Sequence, residues 1–346
     1  MARAHTAMTD PTASLDADAS DLADAPDAPD ATRRFTIEAR HANQRLDKVL
    51  VELLPELSRA RVRTLLEEGQ VRVNGRRMRK GDPLPEGAEI AVSGVLPPQD
   101  FSPLPDADTA LVVRFEDAHV VVLDKPAGMP THPLRPDERG TLANAIAARF
   151  PETLGVGFKK REPGLVHRLD TDTSGLVMVA RTAAAFEALR NASAAGTVHK
   201  RYLALVEGNV AAEGTIDLPM VPHRKDPKRV EVVTEHVRLR AGTRTHPAVT
   251  HYRVARNLEG FTLLEVEVER AFRHQVRAHL AVMGMPLVGD ALYRGPALPE
   301  SLGVSLGRHF LHASEVSFPH PATGAETRVT APLPDDLAAV LGALKA

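Results

Sequence analysis

The stretch from Pro163 to Arg181 concentrates the residue types that could do chemistry in this chain. Asp170 lies between a short apolar run at 164–166 and a strand pattern at 176–180, with a polar turn at 171–175 between them. Strands bounded by such a turn present a side chain at a sheet edge. An aspartate with a pKa of about 3.9 is ionised at neutral pH and can act as a nucleophile or a base. The alternative is a structural turn, because Asp and Ser also hydrogen-bond their own backbone.

Two metal-dependent interpretations of the same residues have weaker support. A calcium loop starting at Asp170 would need a bidentate glutamate at its twelfth position, where Arg181 stands, and helical flanks. A phosphoaspartate enzyme would place an Asp-x-Asp pair, here Asp170 and Asp172, at the end of a hydrophobic strand. His167 and Arg168 interrupt that strand just before the aspartate. The phosphoaspartate enzyme stays open as an alternative that would require magnesium.

Four motifs resemble, in order, those of the RluA-type pseudouridine synthases, and together they cover roughly residues 107–335. They are VVVLDKPAGMPTHP at 120–133, HRLDTDTSGL at 167–176, HKRYLALVEG at 199–208 and FRHQVRAHLAVMGMPLVGDALY at 272–293. The resemblance implies an enzyme that detaches uracil from ribose, turns it and rejoins it through a carbon. Such a reaction needs no cofactor and no metal, and the chain has no cysteine and no glycine-rich nucleotide loop.

The resemblance also implies roles for individual residues. Asp170 is the essential catalytic group, Arg277 pairs with it and keeps it ionised, and Tyr202 stacks on the flipped uracil and assists proton transfer. Arg168 helps to displace the target base from its stack. Attack on the sugar, addition to the uracil ring and a glycal route are all compatible with the residues, and the family favours the glycal route. Without the resemblance, Arg277 and Arg273 would form a solvated helix stripe, and Tyr202 would be a core residue.

Some residues depart from the family pattern. Members often have Gly-Arg-Thr-His-Gln where this chain has Ala-Phe-Arg-His-Gln at 271–275, and often Lys at the position of Thr171. We expect these departures to change the local RNA contacts, and hence the target uridine, rather than to abolish activity. His274 and His279 are five residues apart and therefore do not share a helix face, so we predict no metal site there.

A basic segment before the catalytic motifs predicts a small RNA-binding module. Helical spacing at 46–54, a second helix after an N-cap at Ser58, an Asn-Gly hairpin at 74–75 and a strand at 88–92 resemble the alpha-L RNA-binding domain of a ribosomal small-subunit protein and of tyrosyl-tRNA synthetases. Such a module binds phosphates with salt-dependent affinity. A solvated helix face is the alternative for this charge run. The arginines that we assign to RNA binding here are Arg59, Arg61, Arg63, Arg76 and Arg77.

Alternating helix and strand patterns after residue 107 predict an α+β catalytic fold with a large mixed or antiparallel central sheet. One of the predicted helices carries an apolar stripe of Phe272, Val276, Leu280 and Met283. The composition then divides the chain into four parts. These are a disordered acidic leader at 1–32, the RNA-binding domain at 33–93, a proline-rich linker at 94–106 and the catalytic domain at 107–346.

The charge of the chain is uneven, with consequences for its partners. Seven aspartates against a single arginine leave residues 1–32 at −6, so the remainder carries +4 of the overall −2. The absence of cysteine suits a reducing cytoplasm, and no apolar run approaches the ~20 residues of a membrane span. We therefore expect a cytoplasmic monomer that binds RNA, ribosomal RNA of the large subunit first and transfer RNA second, and no membrane. A non-catalytic RNA-binding or ribosome-assembly factor is the alternative class.

Overall fold

The structure is a computed structural model that describes residues 32–55, 57, 59–78, 81–94, 101–239, 242–269 and 271–345. The chain divides into two compact units, of which the first ends at Asp100 and the second begins at Phe101. The predicted acidic leader lies outside the described residues except for its last residue. The predicted N-cap Ser58 and residues 95–100 of the predicted linker also lie outside the described residues.

The first unit packs short helices against an antiparallel sheet whose strand order is β1-β4-β2-β3. Its core contains apolar side chains from both helices and from the sheet, such as Leu50, Leu65 and Ile90. Asn74 and Gly75 have positive φ angles of 48° and 74°, which confirms the predicted hairpin turn. The elements are β1 (Arg33–Thr36), α1 (Leu46–Leu53), α2 (Arg59–Glu67), β2 (Val71–Val73), β3 (Arg76–Arg77) and β4 (Glu89–Val92).

The second unit is built around a nine-stranded sheet. Its strands are β5 (Val112–Glu116), β6 (Val120–Lys125), β7 (Ser174–Ala180), β8 (His199–Glu207), β9 (Gly214–Asp217), β12 (Val249–Leu258), β13 (Phe261–Val268), β14 (Leu311–Pro319) and β15 (Glu326–Thr330). A separate hairpin joins β10 (Met220–Pro222) and β11 (Val230–Val232). The helices are α3 (Leu142–Arg149), α4 (Ala183–Ala194), α5 (Gln275–Val282) and α6 (Asp335–Ala343).

The strand order of the large sheet is β5-β6-β7-β14-β8-β13-β12-β9, and β15 also pairs with β14. Only the β7–β14 pair is parallel among the described strand pairs, so the sheet is mixed and the α+β prediction is confirmed. Every residue of β7 is buried, because helices cover both of its faces. Val177 and Val179 pack with α3 and α5, whereas Leu176 and Met178 pack with α4.

Two details of the sequence prediction are wrong. The strand that follows Asp170 is an interior strand, so the aspartate lies at the amino-terminal end of a central strand and not at a sheet edge. The helix with the predicted apolar stripe begins only at Gln275, because His274 has a left-handed backbone with a φ of 53°. Phe272 precedes the helix and stacks on His246, and Met283 follows its last turn and is exposed.

No helix in the described ranges is long and apolar enough to cross a membrane.

Candidate active site

Asp170 lies in the loop that precedes β7, with its carboxylate facing basic side chains from α5. Its Oδ2 accepts a hydrogen bond from Nη1 of Arg277 at 2.9 Å, and its Oδ1 is 3.7 Å from Nε2 of His274. The turn that follows is closed by the N–H of Thr173, which donates to the carbonyl oxygen of Asp170 at 3.1 Å. The side chain of Asp170 is 22% exposed, so the carboxylate is held by the protein and still open to a substrate.

Burial alone would raise the pKa of Asp170, but the basic groups around it outweigh that effect. His274, Arg277 and His309 lower the pKa of Asp170 to about 2. Burial in turn lowers the pKa of His274 to about 4, so its imidazole is neutral at pH 7. Arg277 is therefore the permanent positive partner of Asp170, because a guanidinium stays charged at any ordinary pH. The carboxylate is an anion throughout the neutral range.

A second carboxylate, that of Asp290, holds Arg277 in place. Arg277 is only 8% exposed and donates from Nε and Nη2 to the two oxygens of Asp290, at 2.7 and 2.9 Å. Asp290 is 1% exposed and also accepts a hydrogen bond from the N–H of Tyr293. The solvated-stripe alternative is therefore wrong for Arg277. Arg273, which precedes α5, donates instead to the backbone carbonyl of Arg229.

Tyr293 supports the two basic side chains that face Asp170. Its hydroxyl is hydrogen-bonded to Nδ1 of His274 at 3.1 Å and accepts the N–H of Val230 at 3.0 Å. The guanidinium of Arg277 lies over the Tyr293 ring, 5.2 Å from its centroid. The tyrosine therefore orients His274 by a hydrogen bond and Arg277 by a cation–π contact.

Tyr202 is on β8, where it is paired with Val266 of β13 and Ala313 of β14. Burial and the negative charge of Asp170 raise the pKa of its phenol, so the group is protonated at any physiological pH. Its ring belongs to the main core cluster of the second unit, as the core-residue alternative predicts. Ala313 in turn pairs with Gly175 at the start of β7, so one strand separates Tyr202 from the segment that follows Asp170.

Two buried side chains join the loop after β6 to the loop that carries Asp170. Lys125 donates from Nζ to the carbonyl oxygens of Pro126, Met129 and Thr171, at 2.9, 2.8 and 2.9 Å. Thr131 donates to the carbonyl oxygen of Leu169 at 2.6 Å and accepts the N–H of Leu169 at 3.3 Å. These bonds position the backbone on both sides of Asp170.

The sequence was compared with known protein families and with individual proteins. The family described as RNA pseudouridylate synthase matches residues 119–282, and the S4 domain matches residues 44–90. The chain is 38% identical over 312 residues to "Ribosomal large subunit pseudouridine synthase D" of Xanthomonas campestris, covering 88% of this chain and 90% of the relative. It is 40% identical over 302 residues to an "Uncharacterized RNA pseudouridine synthase" of Chloroflexus aurantiacus, covering 87% and 90%.

The chain belongs to the RluA-type RNA pseudouridine synthases. The synthase is thus an isomerase with an amino-terminal S4 RNA-binding domain. In fold, it is similar to "Human RNA Pseudouridylate Synthase Domain Containing 4", with a TM-score of 0.51 and 23% identity over 68% of this chain and 94% of that one. "Human RNA Pseudouridylate Synthase Domain Containing 1" gives a TM-score of 0.50 and 22% identity over 68% and 89%.

The arginines predicted to bind RNA lie in both units of the synthase. Arg59 and Arg63 are exposed on α2, and Arg76 and Arg77 are exposed on β3. Arg77 also donates to the carbonyl oxygen of Glu67. Arg61 is partly buried, donates to the carbonyl oxygen of Gly94 at 3.3 Å and lies 3.8 Å from a carboxylate oxygen of Glu68. Arg168 belongs to the catalytic unit, where it is half-buried two residues before Asp170.

The structure thus brings together Asp170, Arg277 and Tyr202, and it adds residues of the synthase that the sequence analysis left without a role. Asp290, Lys125 and Thr131 were inside the quoted motifs. Lys125 and Thr131 bind the backbone of Thr171 and Leu169, which are distant in the chain, and Asp290 binds Arg277 of its own motif. One signal was available for Lys125, because a charged residue at the end of the apolar run VVVLDK has to be satisfied when that strand is buried.

Proposed function

We propose that this synthase modifies uridines of large-subunit ribosomal RNA and that Asp170 is its essential catalytic group. The observation that carries the proposal is the array in which Asp290 holds Arg277 and Arg277 holds Asp170. Such an array keeps one carboxylate ionised, oriented and partly open, while the two groups behind it are buried. An anion in this setting suits an attack beside a glycosidic bond.

We assign the remaining roles from the positions of the side chains. Asp170 removes the C2′ proton of the ribose while the bond from C1′ to N1 of uracil breaks, which gives a glycal and a free uracil anion. The uracil then turns, its C5 bonds to C1′ as the proton returns from Asp170 to C2′, and the hydrogen of C5 is lost to solvent. Tyr202 stacks on the flipped uracil and assists the proton transfer that occurs late in the reaction. Arg168, beside Asp170 in the chain, occupies the space that the flipped base leaves in the RNA.

The choice of ribosomal RNA rests on the relatives. Several proteins named "Ribosomal large subunit pseudouridine synthase D" match this chain over 87% to 91% of its length, with identities of 32% to 38%. Transfer RNA is the second candidate substrate. The cytoplasmic location and the monomeric state stay predictions that accompany this substrate.

The substrate is tested by mapping pseudouridine in cells that lack the gene. We expect one or more positions in large-subunit ribosomal RNA to lose the modification, and we expect the wild-type gene to restore it. A gene that encodes Asp170→Asn should not restore it. Loss confined to transfer RNA would contradict the proposed substrate. Unchanged pseudouridine in all RNA would favour the RNA-binding or ribosome-assembly factor.

A further inference from the structure

The carboxylate of Glu162 lies among basic side chains of the described residues in the segment that precedes the catalytic loop. Oε1 of Glu162 is 3.5 Å from Nζ of Lys159, 3.9 Å from Nε of Arg161 and 3.9 Å from Nδ1 of His132. All three distances exceed that of a good hydrogen bond. Glu162 therefore offsets part of the positive charge of this cluster without being tightly held by any of the three groups.

His132 shows that the cluster is incompletely satisfied. Its side chain is 4% exposed, and neither ring nitrogen has a hydrogen-bond partner among the described residues. Burial and the positive charges of Arg161, Arg168 and Lys159 lower the pKa of His132 to about 2. A buried, unpartnered imidazole is costly. An anion that took the place of the Glu162 carboxylate would face this imidazole and the cations around it.

The cluster is joined to the catalytic loop. Thr131, which precedes His132, exchanges two hydrogen bonds with Leu169, and Leu169 stands between Arg168 and Asp170. An RNA strand that delivers a uridine to Asp170 carries a phosphate on either side of that nucleotide. Phosphates supply most contacts that position a protein on nucleic acid, and arginine and lysine are their usual partners.

We propose that Lys159 and Arg161 bind one phosphodiester of the substrate RNA beside the target uridine, and that Glu162 occupies this site until the RNA displaces it. The inference rests on the proposed function, because it takes RNA as the substrate at Asp170. It explains why the carboxylate of Glu162 and the imidazole of His132, which has no hydrogen-bond partner among the described residues, lie together in this basic cluster. Glu162 then acts against binding, so its removal should strengthen the affinity for RNA.

The first test compares charge-neutral variants. Lys159→Gln and Arg161→Gln should each weaken RNA binding by roughly three- to tenfold and lower the salt dependence by about one counterion. Glu162→Gln should tighten binding by roughly threefold and steepen the salt dependence, a gain that misfolding cannot produce. The matched controls are Lys160→Gln, an exposed neighbour, and Glu326→Gln, an exposed carboxylate paired with Arg328. Variants that behave like these controls would overturn the inference.

The second test locates the phosphate. Neutral methylphosphonate linkages are placed one at a time around the target uridine, and each is combined with Arg161→Gln. We expect one adjacent linkage to weaken binding to the wild type and to cost nothing more in the variant, because both changes remove the same contact. If no linkage is coupled in this way, while inorganic phosphate at constant ionic strength stabilises only the wild type against heat, the site binds free phosphate and the RNA assignment is wrong.

These outcomes can be separated from a failure of the proposed function. Tritium release from RNA labelled at carbon 5 of uracil is measured with the same protein. Release by the wild type, together with variants that match the controls, would refute the phosphate site alone. Absence of release from ribosomal RNA, together with the expected binding changes, would refute the proposed function alone.

Discussion

A buried carboxylate usually takes up a proton, because water no longer solvates its charge. Asp170 does the opposite, and its pKa falls from 3.8 to about 2 because basic groups surround it. Its ionisation therefore stabilises the folded protein above pH 4, and this contribution is lost as the pH falls through 2. Between pH 5 and 8, we expect Asp170 to be ionised in every molecule.

The role of Arg277 is tested by Arg277→Gln. Without the guanidinium, less of the effect of burial is offset, so the pKa of Asp170 rises. We expect kcat/KM to fall roughly 100-fold, as it does when a catalytic group is misplaced, and to decline further as the pH is lowered from 8 to 5. The wild-type profile should be flat on this acid side. Arg273→Gln is the matched control. If its kcat/KM also declined as the pH was lowered from 8 to 5, the effect would not be specific to Arg277.

The role of Asp290 is tested by its effect on stability. Asp290→Asn removes one charge of a buried bidentate pair, and we expect the free energy of unfolding to fall by about 3 kcal/mol, measured with urea. Asp336→Asn breaks a similar bidentate pair with Arg308, but Asp336 is 46% exposed, so it should cost about 1 kcal/mol or less. Equal losses in the two variants would contradict the buried role of Asp290.

Among individual residues, the sequence predicted those that a family motif marks as catalytic. It missed the residues that position them by hydrogen bonds. Asp170, Tyr202 and Arg277 were named from motifs, and the structure brings them together. Asp290 and Lys125 were not named, because their importance depends on their partners. The contact between Lys125 and Thr171 joins residues 46 positions apart, and no local pattern encodes such a pair.

Among the secondary-structure elements, the site depends on one central strand. β7 begins just after the Asp170 turn and is the parallel partner of β14 at Gly175 and Ala313. Gly175 has a φ of 115°, and a Cβ there would lie 2.2 Å from the carbonyl oxygen of Ala313. The chain can pass so close to β14 only because this residue has no side chain.

Gly175→Ala should therefore be strongly destabilising. We expect a loss of about 3 kcal/mol or more, because the backbone of β14 cannot yield as a flexible side chain would. Gly208→Ala is the matched control. Gly208 also has a positive φ, of 84°, but open space surrounds its Cβ position, so only the backbone strain of about 1 kcal/mol applies. Thermal unfolding of both variants measures the difference, and equal losses would exclude the contact with β14 as the cause.

Most elements could be predicted from their local patterns. The helical spacing at 46–54 and the predicted strand at 88–92 correspond to α1 and β4 within one residue at each end. The position of a strand within the sheet could not be predicted in this way. β7 is interior because it pairs with β14, more than a hundred residues later in the chain, and sequence spacing does not show such a pairing. The start of α5 depends on the left-handed conformation of His274, which no apolar stripe reveals.

At the scale of the whole molecule, the synthase combines an S4 unit and a catalytic unit in a chain of nearly balanced charge. RNA binding must then depend on local basic groups rather than on the net charge.

Replacing Arg59, Arg63 and Arg76 together by Gln should weaken binding to all RNAs about equally and lower the salt dependence by about three counterions. Arg224, Arg238 and Arg256, substituted in the same way, provide a charge-matched control in the catalytic unit. Equal effects of the two triple variants would exclude a special role for the S4 arginines.

The central claim is that Asp170 carries out the isomerisation of uridine. The most direct measurement is tritium release from ribosomal RNA labelled at carbon 5 of uracil, because that hydrogen leaves when the ring is rejoined through its carbon. We expect release by the wild type and by Asp172→Asn, with or without a chelator in excess, and none by Asp170→Asn, which should still bind the RNA. Normal release by Asp170→Asn would contradict the account. Release that was abolished by the chelator would contradict the metal-independent reaction that the account predicts.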